Sequence, residues 1–206
     1  MTKSRAAFDL LLATDAETTG IAMGCVDPTF NPETGEKFQA ISFGFVVARA
    51  DTFQPVDELY VEIKYDDRYV WSDGAQRVHG LTREYLEENG MTRQEAAFKI
   101  VEFIQKYFGP VETIRKLVLL GQNVATFDRY FLIELLSEVG ADIIQFGNRH
   151  VDTFSIGLAT LGVYSSNELF DALGLERDPN NHNALEDTKH ALKAARLIKK
   201  FIQSAE

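Results

Sequence analysis

Phe8-Asp9-Leu10-Leu11-Leu12-Ala13-Thr14-Asp15-Ala16-Glu17-Thr18-Thr19-Gly20 is the stretch on which the reading of this chain turns. Phe8 to Ala16 is a short apolar run suited to a buried strand. In a strand, positions i and i+2 point to one face, so the carboxylates of Asp15 and Glu17 project together at its end. Two acids at the end of a buried run are costly unless something pairs them, and a divalent cation does so. Gly20 lets the backbone turn there and approach a ligand closely. By itself an Asp-x-Glu pair is more readily a solvated turn, so its meaning depends on what the rest of the chain brings to it.

Working outward, residues 20–38 hold Gly20, Gly24, Pro28, Pro32 and Gly35 and read as a long loop. Ala40 to Ala50 reads as a second strand, and Glu58 to Tyr65 as a third with alternating Leu59, Val61 and Ile63. Short helical pieces follow near Asp73–Val78 and Thr82–Glu88. Thr92-Arg93-Gln94-Glu95 is a capping box opening a helix that carries Ala97, Ile100, Val101, Ile104 and Phe108 at helical spacing, stopped by Gly109-Pro110. Lys116 to Leu120 reads as a fourth strand and Thr126 to Val139 as a helix. A short strand is expected within 143–152, then helices near 153–162 and 166–173. A polar turn from Arg177 to Asn181 leads to a last helix from Ala184 to about Gln203. Three strands followed by strands alternating with helices predict an α/β fold, a mixed sheet covered by helices. With no repeat or linker, residues 1–206 read as a single domain with a core of about 8–203.

Two further segments carry acids at element boundaries. Asn123-Val124-Ala125-Thr126-Phe127-Asp128 places Asp128 in the first turn of the helix after the fourth strand. There it heads the stripe of Leu132, Leu135 and Val139 and faces the sheet. On its own it is an acid favoured by the helix dipole. In His182-Asn183-Ala184-Leu185-Glu186-Asp187, Asn183 is an N-cap with Glu186 three residues later. Asp187 lines up with Ala191, Ala194, Ile198 and Phe201, which turns its carboxylate inward, and such faces rarely bury an unpaired acid. His182 lies on the lead-in to the same spot.

In identity and order, the three segments together resemble the DEDDh group of 3′–5′ exonucleases, also called DnaQ-like. The family pattern DxETTG, NxxFD or NxxxFD, and HxAxxD is matched here by DAETTG at 15–20, NVATFDRYFL at 123–132 and HNALED at 182–187. Val78-His79-Gly80-Leu81-Thr82, Val151-Asp152-Thr153 and Glu168-Leu169-Phe170-Asp171-Ala172-Leu173 are similar to smaller family segments, so the likeness spans about residues 8–200. It implies an RNase H-like fold with a central five-stranded mixed β-sheet flanked by α-helices. It also implies two divalent metal ions, Mg²⁺ or Mn²⁺, held by Asp15, Glu17, Asp128 and Asp187, with His182 as general base. On the substrate side it implies the main chain of Ala16, Thr18 and Thr19, together with Asn123 and His79. By spacing alone His79, His150 and His190 read as structural. The 20–39 loop is longer than is usual in the family.

The activity so implied is metal-dependent release of nucleoside 5′-monophosphates from a 3′ end, with single-stranded DNA the first expectation. An exoribonuclease of the same family is the rival enzyme. A polymerase-associated proofreading or docking module is the rival of another class, although all five site residues are present. A net charge of −10 argues against tight non-specific duplex binding, but an enzyme gripping only a strand end needs few phosphate contacts. Tyr65, Tyr69 and Trp71 are candidates to stack a base, with core packing the expected use for at least two of them. Lys189, Lys193, Arg196, Lys199 and Lys200 form a basic track or a solvated face. The apolar run after the basic N-terminus leads into Asp15 and reads as a strand and not as a signal peptide. No run approaches the roughly 20 apolar residues of a membrane span. The single cysteine, Cys25, fits a reducing compartment, so a cytoplasmic location is expected.

Overall fold

The protein is described by a computed structural model at residues 9–177 and 183–204. Strand β1 (Leu10–Thr18) is central, and its side chains divide between two layers. Leu11 and Ala13 pack with Val46, Ala48, Leu120, Ala191, Leu192 and Ala195 on one face. Leu12 and Ala16 join Phe43, Phe45, Ile100, Leu119 and Leu132 on the other. This two-sided burial is why β1 reads as a continuous apolar run.

Antiparallel to β1 runs β2 (Ala40–Arg49), with Asp15 opposite Gly44, and β3 (Pro55–Glu62) pairs antiparallel to β2. On the other side β4 (Leu119–Gly121) is parallel to β1 and β5 (Val151–Asp152) is parallel to β4. The strand order is β3-β2-β1-β4-β5. Seven α-helices accompany this sheet among the described residues: α1 (Asp73–His79), α2 (Arg83–Asn89), α3 (Arg93–Phe108), α4 (Asp128–Leu136), α5 (Thr153–Leu161), α6 (Ser166–Ala172) and α7 (Ala184–Ser204). Helices α3 and α4 supply one covering layer and α7 the other. The chain therefore has the five-stranded, mixed-sheet RNase H-like architecture that the resemblance implies.

Several boundaries differ from the sequence expectation, each for a physical reason. The third strand starts at Pro55 and ends at Glu62 because its register is set by β2; beyond it Ile63 bridges to Met91. The fourth strand shrinks to three residues, since Lys116 takes a φ of 61° that breaks extended geometry. Helix α4 starts at Asp128 and not at Thr126, because Asn123 (φ 53°) bends the chain left-handed, a conformation asparagine tolerates. The carbonyl of Asn123 then accepts from the N–H groups of Thr126 and Phe127, both at 2.9 Å. The Thr92–Glu95 capping box forms as expected. Of the polar turn, Arg177 is described and 178–181 lie outside the described residues. No helix among the described residues is long and apolar enough to cross a membrane.

Candidate active site

The ends of β1, α4 and α7 meet at one place. Asp15 and Glu17 share the face of β1 that carries α7, as strand alternation requires. Asn183 caps α7, its Oδ1 accepting from Leu185 N at 3.1 Å and Glu186 N at 3.0 Å. That fixes the helix start, and Asp187 one turn in faces the sheet. Ligand oxygens of Asp15, Glu17 and Asp187 lie within 4.8 Å of one another.

Asp128 is not in that 4.8 Å set, yet its charge is the largest influence on Asp15 after burial. It is buried, and its Oδ2 receives no hydrogen bond, an arrangement that either a retained proton or a bound cation would satisfy. Burial first, then Asp128, Glu17 and Asp187, push the Asp15 carboxyl well above the usual carboxylate range. Glu17 is pushed up to about 7, by burial and then by Asp187. Burial also pushes Asp128 up to about 7, although the N–H groups of Asp128 itself and of Ala16 pull it back. Acids this reluctant to ionise together fit divalent cations, which supply the missing charge.

A cleft runs past these acids. One chamber, of about 470 Å³, is lined by Asp15, Asp128, Asp187, Asn123, Phe127, Cys25 and Arg177. A second, of about 820 Å³, is lined by Ala16, Glu17, Thr18, Ile21, Met23, Phe38, Val78 and His79. Ile21 and Phe127 border both chambers, and Ile21, Met23 and Val78 are exposed apolar side chains beside Glu17. The long loop forms the outer wall through Ile21 to Pro28. It is anchored by Thr19, whose N–H donates to Gln39 O at 2.9 Å and whose carbonyl accepts from Ser72 N at 2.7 Å. Thr19 is fully buried with both main-chain groups engaged, so of the two threonines Thr18 is the one on the cleft wall.

His79 sits on that wall as a buried neutral group: its Nδ1 accepts from Leu81 N at 3.0 Å, and burial holds it down at about 4. The aromatic candidates are largely committed to packing. Tyr69 is buried against Arg93 and bonds Glu134. Tyr65 and Trp71 meet edge to face at 5.3 Å under Arg83. The basic track is partly spent on holding α7 down: Lys189 pairs with Glu58 of β3 (and, within the helix, with Glu186), Arg196 bonds Gln54, and Lys199 bonds the Asp51 carbonyl. His190 bonds the Glu186 and Glu176 carbonyls, a structural use. Phe201, expected on the buried stripe, is exposed.

His182 lies outside the described residues. Two residues at the site were not singled out by the sequence reading. Arg177 was read only as part of a turn, and it pairs with Asp187. Gly44 sits opposite Asp15, where a Cβ would lie 2.3 Å from the Ala184 carbonyl oxygen and from Leu185 Cα. A glycine inside the apolar run Ala40–Arg49 was the available signal, since interior strand glycines mark close backbone approach. Arg177 carried no pattern signal.

No curated protein matches the sequence. Among solved structures, exonuclease I ("the structure of exonuclease I suggests how processivity is achieved") superposes with a TM-score of 0.70 at 19% identity, covering 94% of this chain and 41% of that one. E. coli exonuclease I with a dT13 oligonucleotide gives 0.69 at 18% identity, covering 93% and 41%. The same enzyme with a dA16 oligonucleotide gives 0.68 at 17%, covering 94% and 41%. The chain thus spans about two fifths of the length of the exonuclease I structures it matches, and the likeness establishes the fold. The profile of the Exonuclease family, RNase T, matches residues 12–195, nearly the whole described chain, and the protein belongs to that family of nucleic-acid exonucleases.

Proposed function

We propose that this chain is a metal-dependent 3′–5′ exonuclease that releases nucleoside 5′-monophosphates from single-stranded DNA. The observation that carries this is the convergence of Asp15, Glu17 and Asp187 within 4.8 Å beside buried Asp128. Asp15, Glu17, Asp128 and Asp187 would hold two ions, Mg²⁺ or Mn²⁺. When bound, such ions acidify the attacking water and neutralise charge on the leaving 3′-oxygen.

The chain's own residues do the rest. His182 takes the proton from the attacking water, a role suited to a group that titrates near neutral pH. The chamber beside Glu17 receives the terminal nucleoside between exposed apolar side chains, with Ala16 and Thr18 among its lining residues to offer main-chain contacts. Thr19 acts on substrate only through the loop it anchors, and His79 shapes the wall without changing charge near neutral pH. Asn123, exposed at the bend before α4, orients the second segment. Single-stranded DNA is favoured because exonuclease I structures of this fold contain dT13 and dA16 oligonucleotides.

The deciding assay uses 5′-labelled DNA and RNA, single- and double-stranded, with Mg²⁺ or Mn²⁺. A ladder shortened from the 3′ end on single-stranded DNA is expected. A ladder on RNA alone transfers the activity to the exoribonuclease reading, and no 3′ shortening of any substrate would sink both.

A further inference from the structure

The site contains a cation of its own. Arg177 follows α6, and its guanidinium is held at three points. Nη1 donates to Asn167 Oδ1 at 2.8 Å, Nη2 donates to Asp187 Oδ1, and the plane lies over the Phe170 ring, 5.1 Å from its centroid. Asn167 and Phe170 both belong to α6. The arginine is therefore anchored on one helix and bonds a carboxylate on the neighbouring helix α7. The Arg177 side chain is 25% exposed and that of Asp187 13%, so solvent screens the pair only in part. Among the described residues lining the chamber of Asp15, Asp128 and Asp187, it is the one cationic side chain.

We propose that Arg177 is a built-in counter-ion that shares Asp187 with the metal, so that loading is an exchange in which the guanidinium gives up this carboxylate. The inference rests on the metal-site reading above. Mg²⁺ accepts oxygen ligands at about 2.0–2.1 Å in a strict geometry, and such a ligand cannot keep a charge-assisted hydrogen bond on the same oxygen at full strength. Both cations also repel each other. The effect of Arg177 reaches past its partner, for its charge favours ionisation of Asp15 and Glu17 as well. It thus holds the acids together when metal is scarce and sets the metal concentration at which the site fills. The fork needs an arginine: one nitrogen stays on Asn167 while the other is released.

Calorimetric titration of the full chain with MnCl₂ tests this, with melting in chelator alongside. Arg177→Gln should bind Mn²⁺ about tenfold tighter, the worth of one charge-assisted hydrogen bond, yet melt at lower temperature in chelator. Asn167→Ala keeps the charge and loosens the fork, so it should bind about two- to fourfold tighter, a fraction of that same bond. In wild type labelled with ¹⁵N-arginine, the Arg177 guanidinium signal should shift during Mg²⁺ titration, with a midpoint matching Mg²⁺ calorimetry. This readout and Asn167→Ala decide the matter if Arg177→Gln does not fold. Equal or weaker Mn²⁺ binding in both variants overturns the exchange. Tighter binding in Arg177→Gln alone also overturns it, by reducing Arg177 to a general field effect. An unmoved guanidinium signal under bound Mg²⁺ does the same. If wild type and variants all bind no Mn²⁺, the metal-site reading itself falls, which is a separate and recognisable result.

Discussion

The single hydroxyl proton of Thr188 is shared between two carbonyl oxygens, Ala184 O in its own helix at 2.7 Å and Gly44 O at 3.1 Å, and the second contact ties the first turns of α7 to the strand residue opposite Asp15. Helix and sheet touch backbone to backbone here, which is how Asp187 comes within reach of Asp15 and Glu17. The contact is a positioning device for the acids as much as a packing contact.

Gly44→Ala should therefore damage both stability and activity. The added Cβ would lie 2.3 Å from backbone atoms of Ala184 and Leu185, which cannot rotate away, so α7 must shift. Overpacking of this kind costs about 1–3 kcal/mol or more, or roughly 2–4 °C of melting temperature per kcal/mol at this chain length. Exonuclease rate should fall further than the folded fraction does, because Asp187 moves with the helix. Thr188→Val, which removes the bond without pushing, should cost only about 1 kcal/mol. A Gly44→Ala protein that melts and cleaves like wild type would refute the account.

Asp15→Asn and Asp128→Asn should each lower cleavage by roughly a thousandfold or more while the fold survives, since several kcal/mol of charge stabilisation are at stake. Side-chain volume barely changes, so far-ultraviolet circular dichroism should be unaltered. Near-full activity of Asp128→Asn at saturating Mg²⁺ would remove Asp128 from the site.

His182→Ala should reduce the rate by about 10²–10⁴-fold, the range for a positioned acid–base group. The wild-type rate should climb with pH through the titration of this histidine, and that limb should be missing from the variant. A variant whose pH profile keeps the limb would assign the proton transfer to another group.

Stability in chelator should depend on Glu17 in a pH-specific way. The unfolded chain releases this proton near 4.5, but the folded protein keeps it to about 7. Between those values the folded state binds more protons, so this group's contribution to stability falls as pH rises. Asp15 and Asp128 act in the same sense, whereas His79, held down at about 4, acts oppositely below its ordinary value. Comparing wild type with Glu17→Gln cancels the histidine. The two should melt alike near pH 4, and the variant should be the more stable above pH 7, by at most about 3 kcal/mol. Saturating Mg²⁺ should erase that advantage. A melting difference that does not change with pH would mean that Glu17 is not held protonated by its surroundings.

What the chain reveals as a string is what hydrogen bonding and burial encode over a few residues. The apolar run of β1, the shared face of Asp15 and Glu17, the Thr92–Glu95 box, the Asn183 cap and the inward stripe of Ala191, Ala194 and Ile198 were all legible, because strand and helix periodicity are local. The ends of β3, β4 and α4 were not legible, since pairing partners and a left-handed asparagine set them. Nor were the pairing of Arg177 with Asp187, the full burial of Thr19 and the close approach at Gly44. The Thr188–Gly44 bond joins residues 144 positions apart and exists only once α7 lies on the sheet. The carboxylates that converge at the candidate site, Asp15, Glu17 and Asp187 beside Asp128, could thus be picked out from the sequence. The site's electrostatic balance was decided by tertiary packing, because burial, mutual repulsion and a neighbouring guanidinium act through space and leave no local pattern.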